Sequence, residues 1–199
     1  MIDEVRPLSK ESIISTHQEI LRLQRLVEDL YELANADIGA LSYNKETIDL
    51  SELVSDQCEK LHHQAELLKQ TLVTDIPEEI VDIWGDPTRL SQLISNLLVN
   101  SIKYTNEQGT ISVSLRAKPD FVKICIQDSP PQVNEVDLEK LFDPLFRVDA
   151  SRTRKAGGSG LGLAICKKIV EGHHGTIVAK PSPLGGLQIE INLPRKSHG

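Results

Sequence analysis

The chain has 199 residues, 39% of them hydrophobic and 26% charged, the make-up of a soluble globular protein with one domain or one domain plus an appendage. Its net charge of −7 argues against binding a nucleic-acid backbone, so any anion site must be built locally from a few cations and backbone N–H groups. The three cysteines, Cys58, Cys125 and Cys166, form no C-x-x-C pair and argue against a disulfide framework or zinc knuckle, and no apolar run approaches the ~20 residues of a membrane span.

From Glu11 to Asp37 the pattern predicts one long helix, with Ile13, Ile20, Leu23, Leu26, Val27, Leu30, Leu33 and Ala34 recurring at helical spacing. That stripe is wider than a two-position seam and fits a helical bundle or hairpin. Gly39 ends the periodicity, and Asn44 to Thr47 reads as a linker. Asp49, with Glu52 three residues on, starts a helix reaching about Leu68. Thr71 to Asp75 and Ile80 to Trp84 are short strand candidates, and Asp86-Pro87 opens a helix running to Tyr104. Thr110 to Ala117 and Phe121 to Gln127 alternate as a pair of antiparallel strands. A short helix over Glu135 to Phe142, a basic glycine-rich stretch from Arg147 to Ser159, a helix over Leu161 to Glu171, and strands at Thr176 to Ala179 and Leu187 to Leu193 complete the chain. Helices interleaved with strand pairs predict an α/β sandwich with helices on one face.

Three patterns carry chemistry. In the helix after Asp86, Leu90, Leu93, Ile94, Leu97 and Leu98 form an apolar face, while Arg89, Gln92, Asn96, Asn100 and Lys103 share an adjoining one. Neutral oxygen ligands beside a cation suit a hydrated Mg²⁺ that carries phosphate; the alternative is a polar face that only meets water. The run Gly157-Gly158-Ser159-Gly160-Leu161-Gly162-Leu163 opens into an apolar helix beside Arg147, Arg152, Arg154 and Lys155, which suits a phosphate at a helix start. It has neither the Gly-Lys-Ser/Thr ending of a P-loop nor dinucleotide-fold spacing, and a flexible loop is its alternative. Asp128 ends a strand, where it can accept a hydrogen bond from an exocyclic amine or simply form a turn. Adjacent His62/His63 and His173/His174 point about 100° apart on a helix and are poorly placed to share a metal ion.

Taken in order, these pieces resemble sensor histidine kinases. Asn96 to Thr105 resembles their N box, Asp128 stands at the start of their first glycine box, Leu141 to Arg147 resembles the F box, and Gly158 to Gly162 the second glycine box. Gly185-Gly186 before a strand ending Leu193-Pro194 resembles the closing motif, so the likeness spans about Leu50 to Arg195. The resemblance implies an α+β, two-layer Bergerat ATP-binding fold: a mixed, mostly antiparallel sheet with helices on one face, preceded by one long helix from a dimerisation hairpin. It implies that residues 1–46 are part of that hairpin and 47–199 the catalytic domain. It further implies ATP and Mg²⁺ as ligands, with Asn100 on the metal and Asn96 beside it. Lys103 and Arg147 would face phosphate, Tyr104 pack on the nucleotide and Asp128 read the adenine amine. The second glycine box, with Gly158, Ser159, Gly160, Leu161, Gly162 and Leu163, would hold the nucleotide, and the stretch from Phe142 to Gly158 would form a lid.

For the whole protein the resemblance implies a homodimer, a response-regulator partner, and this piece on the cytoplasmic side of a bacterial inner-membrane sensor, without membrane contact of its own. Two departures stand out. Pro130 and Gln132 occupy the positions where the first glycine box has glycines, which stiffens the backbone and removes one N–H. The His-Glu/Asp-x-Arg-Thr-Pro acceptor segment is also missing; His17, in Ser-Thr-His-Gln-Glu, reads as a surface residue of the hairpin's second helix, and the chain as beginning near the hairpin turn around Pro7. A nucleotide-sensing module that transfers no phosphate is the alternative function. An anti-sigma-factor serine kinase is a weaker rival, disfavoured by the long first helix and the F box.

Overall fold

The computed structural model describes residues 9–37, 42–148 and 159–195. Helix α1 (Lys10–Asp37) is followed by β1 (Glu46–Asp49), α2 (Leu50–Leu67), β2 (Thr71–Asp75), β3 (Asp82–Gly85) and α3 (Pro87–Tyr104). Then come β4 (Thr110–Ala117), β5 (Phe121–Asp128), a single turn α4 (Glu135–Leu138) continued as a 3₁₀ turn (Glu139–Phe142), α5 (Gly162–Gly172), β6 (Thr176–Pro181) and β7 (Leu187–Pro194).

Five strands form one open sheet in the order β2-β4-β5-β7-β6. Only β2–β4 is parallel; β4–β5, β5–β7 and β6–β7 are antiparallel. The mixed, mostly antiparallel α+β sandwich expected from the sequence is therefore present. Strand β1 pairs with β3 as a separate antiparallel ribbon, Glu46 opposite Gly85. Residues 46 and 47, read above as linker, are thus strand; a four-residue strand whose partner lies some 36 positions away leaves no local period to detect.

Helices α2 and α3 are started by the chemistry the sequence shows. Asp49 caps α2 by accepting from the Ser51 N–H at 2.9 Å. Asp86 caps α3 by accepting from the Arg89 N–H at 3.0 Å, and its second oxygen accepts from the Asn44 N–H at 2.8 Å. Leu90, Leu93, Ile94, Leu97 and Leu98 are almost wholly buried, facing Ile111, Val113, Leu115, Val122, Ile124 and Ile126 of β4 and β5 in one core. Truncating one of these leucines to alanine is expected to cost about 2–5 kcal/mol. Helix α5 completes the helical layer with Ile165, Cys166, Ile169 and Val170.

Helix α1 gives little of its apolar stripe to the core. Leu33 is buried and Leu26 packs against the core, while Ile13, Ile20, Leu23, Val27 and Leu30 are exposed. Helix α1 lies against α5, yet most of its broad stripe stays exposed and only Leu26 and Leu33 of it reach the core. It is held by Glu32, which pairs with Arg89 and accepts from Gln92 Nε2 at 2.8 Å. His17 is exposed on the same helix. No helix among the described residues is long and apolar enough to cross a membrane.

Candidate nucleotide site

Helix α3 projects Asn96, Asn100 and Lys103 from one half-buried face, with Tyr104 at its last turn. Lys103 Nζ sits 5.0 Å from the centre of the Tyr104 ring. Arg147 also comes to Tyr104: the guanidinium charge opposes the upward push that burial gives the phenol's pKa. The Nε and Nη2 atoms of Arg147 are buried and have no hydrogen-bond partner among the described residues. A guanidinium presents five donors and is always charged, so two unpaired, buried donors beside a lysine are the local requirement for a phosphate oxygen.

Arg147 reaches this position because the F-box backbone is tied to the glycine-rich run. The Leu145 N–H donates to Gly160 C=O at 2.9 Å. Gly160 has φ +72°, and a Cβ there would press on the Leu145 backbone at 3.1 Å, so glycine meets both a left-handed conformation and a close approach. Ser159 Oγ accepts from the Leu161 N–H at 3.2 Å and donates to Asp29 of α1 at 3.1 Å. No side chain caps α5, and a Cβ at Gly162 would meet open space, so the first-turn N–H groups are accessible to an anion. Leu161 is buried in the core and Leu163 packs against it, so these two can serve a ligand only through their backbones. Gly158, Arg152, Arg154, Lys155 and most of the expected lid lie outside the described residues.

Asp128 ends β5 in a different setting. It is buried, and its Oδ1 accepts from the Leu187 N–H at 2.6 Å. Burial pushes its carboxyl up to about 6, opposed by the Leu187 N–H and the Ser101 hydroxyl. The Gly186 N–H donates to Asp128 C=O at 3.1 Å, and a Cβ on Gly186 would collide with the Asp128 carboxylate and the Asp128 and Ser129 carbonyls. The closing Gly185-Gly186 pair therefore shapes the Asp128 pocket. In the altered first glycine box the Pro130–Pro131 peptide is cis, and Pro130 C=O accepts from the Asn106 N–H at 3.1 Å.

Four residues gain roles that the sequence pattern does not reveal. Cys166, fully buried, hydrogen-bonds the Asn96 side chain and lies 3.8 Å from Leu93 C=O. Arg89 and Gln92, on the Asn96–Lys103 face, are committed to Glu32 and not to a ligand. Gln70 is buried beneath the end of α3. Two open clefts, of about 400 Å³ beside Arg116 and Arg195 and about 490 Å³ beside Asp86 and Arg89, contain none of the candidate nucleotide residues.

Residues 85–197, which hold α3, Asp128, the F box and both glycine runs, match the sequence profile described as histidine kinase-, DNA gyrase B- and HSP90-like ATPase. The chain belongs to that ATPase family. ATP is the nucleotide such a domain binds. The chain is 40% identical over 192 residues to the signal transduction histidine-protein kinase BaeS of Escherichia coli (strain K12), covering 96% of this chain and 41% of that protein. It is 33% identical to the sensor protein kinase WalK of Staphylococcus aureus, over 94% of this chain and 45% of that one. The chain thus spans under half the length of these relatives. The nucleotide-free catalytic domain of histidine kinase ThkA superposes with a TM-score of 0.68 at 26% identity, over 78% of this chain and 97% of that one. ThkA has also been solved in complex with the response regulator protein TrrA; that structure superposes at a TM-score of 0.75 and 24% identity, over 98% of this chain and 53% of that one.

Proposed function

We propose that this chain is the ATP-binding catalytic part of a two-component sensor histidine kinase, transferring the ATP γ-phosphate to a histidine on a helix outside this sequence. The observation that carries the reading is Arg147, whose buried Nε and Nη2 have no hydrogen-bond partner among the described residues and which lies beside Tyr104 and Lys103. A protein does not bury unpaired donors of a permanent cation without cost, and a phosphate restores their partners.

In this reading Asp128 accepts the adenine amine through the carboxylate oxygen not taken by Leu187, and Tyr104 packs on the nucleotide. Lys103 and Arg147 neutralise phosphate charge, and Ser159, Gly160, Gly162 and the N–H groups opening α5 cradle it, with Gly158 next in the run. Asn100 holds Mg²⁺ through its amide oxygen with Asn96 beside it, an oxygen ligand of the kind Mg²⁺ prefers. Bound there, the ion supplies charge neutralisation on the phosphates; the residues of this chain supply position, the main requirement of phosphoryl transfer. Residues 1–46 belong to a dimerisation hairpin and 47–199 to the catalytic domain. The whole protein is a homodimeric inner-membrane sensor whose cytoplasmic part passes phosphate to a response regulator.

Pro130 and Gln132, in place of the usual glycines, favour a second reading: a nucleotide-sensing module without transfer. Radiolabelled ATP separates the two. Mixed with a longer polypeptide that carries the acceptor helix, the chain should give acid-labile, base-stable label on histidine. Tight ATP binding with no label establishes the sensing module instead. Label on the chain alone that vanishes on His17→Gln would make His17 the acceptor.

A further inference from the structure

The last turn of α3 carries Lys103 and Tyr104, yet it lacks the usual means of ending a helix. Its C-cap, Thr105, is extended at φ −68° and ψ 137°, with no glycine in the left-handed conformation after it. The carbonyls of such a terminus need partners from elsewhere. One side chain supplies them from a distant part of the sequence. Gln70, at the junction of α2 and β2 and only 5% exposed, donates from Nε2 to Ile102 C=O at 2.9 Å and to Thr105 C=O at 2.8 Å. These two carbonyls lie on either side of Lys103 and Tyr104.

Gln70 is itself fixed. Its backbone N–H donates to Ala65 C=O at 2.9 Å, and its neighbours anchor the same corner, with Gln108 N–H on Lys69 C=O at 3.1 Å and Thr71 N–H on Gly109 C=O at 2.9 Å. Its Oε1 has no partner among the described residues, nor has Thr105 Oγ1. A buried amide that leaves its own acceptor unpaired while placing its nitrogen on two carbonyls is held for its donors.

We propose that Gln70 is a positioning residue for the phosphate end of the nucleotide site: its amide clamps the backbone around Lys103 and Tyr104 and so sets where the ammonium and the ring meet ATP. This rests on the nucleotide roles given to Lys103 and Tyr104 above. Removing the clamp frees the final turn without touching any residue that meets the ligand. The loss expected is about tenfold in affinity, the scale of one hydrogen bond moved out of register.

The test is a double-mutant cycle on the whole chain with Gln70→Met and Lys103→Met, reading the Kd of a non-hydrolysable ATP analogue by calorimetry, together with amide exchange at residues 103–106. Gln70→Asn, which keeps an amide but shortens its reach, serves if the methionine variant folds poorly. If Gln70 acts through Lys103, Gln70→Met weakens binding about tenfold in the parent and adds little once Lys103 is methionine; exchange at 103–106 accelerates while the β5 core is unchanged. A loss that is additive with Lys103→Met, or no loss at all, overturns the proposal, because a merely structural residue behaves that way. If the parent does not bind the analogue, the ATP-site reading fails on its own, and the exchange data then decide: unchanged exchange at 103–106 overturns the clamp as well.

Discussion

Replacing Asp128 with asparagine should make the protein more stable and its nucleotide site worse. The carboxyl is buried behind β5 and held up to about 6, against 3.8 for an ordinary aspartate, chiefly by loss of water. That displacement corresponds to about 3 kcal/mol of stability withheld when the group is ionised. The sign follows from the raised value: the stability is fully present below about pH 4, where the unfolded carboxyl is also protonated, and is lost as pH rises through about 6. Asparagine keeps an oxygen for the Leu187 N–H and carries no charge. Asp128→Asn should therefore raise the unfolding free energy by about 1–3 kcal/mol at pH 8, with an advantage that narrows below pH 6 and is gone near pH 4. An amide has one acceptor oxygen where a carboxylate has two, so the variant cannot satisfy Leu187 and an adenine amine together, and ATP affinity should fall by more than about tenfold. Chemical unfolding at pH 4, 6 and 8 and calorimetric titration at pH 8 measure both quantities. A variant less stable than the parent at pH 8, or one that binds ATP as well as the parent, would refute the reasoning.

Arg147→Ala removes two unpaired buried donors, so it should leave the thermal midpoint within a few degrees of the parent while lowering phosphate transfer more than ATP binding, as transfer to a separate acceptor-helix polypeptide would show. His173 is buried, its Nε2 accepting the Asp86 N–H at 2.9 Å and its ring Nδ1 lying 2.7 Å from Ile169 C=O. Burial depresses its pKa, so its contribution to stability is present above about pH 6.5 and lost as pH falls through the lower folded value; an NMR titration midpoint at or above 6.5 would contradict this. Gly186→Ala forces a methyl into the Asp128 carboxylate and should cost about 1–3 kcal/mol while weakening ATP binding, both measurable on the purified variant.

The parts of the fold legible in the sequence are those fixed by local chemistry. Asp86-Pro87 marks the start of α3, the alternation from Thr110 to Gln127 marks the β4–β5 pair, and the Asn96–Lys103 spacing puts its members on one face. What the sequence hides depends on distant partners. Strand β1 exists because β3 pairs with it, and most of α1's stripe is exposed because only Leu26 and Leu33 of it meet the core. Leu161 reads as part of a glycine loop, yet it turns its side chain into the core. Gln70 carries no motif; its role comes from two carbonyls more than thirty residues away. Arg147 is visible as a basic residue of the F box, but its unpaired donors depend on how Gly160 and Leu145 fold against each other.

Nucleotide binding at α3, Asp128 and Arg147 is the claim on which the rest depends, and a calorimetric titration of this chain with a non-hydrolysable ATP analogue, with and without Mg²⁺, tests it most directly. The prediction is one site per chain, tighter with Mg²⁺ than without, with the Mg²⁺ advantage removed by Asn100→Ala while the fold is kept. No heat of binding in either condition, or an Asn100→Ala variant whose Mg²⁺ dependence matches the parent's, would contradict it.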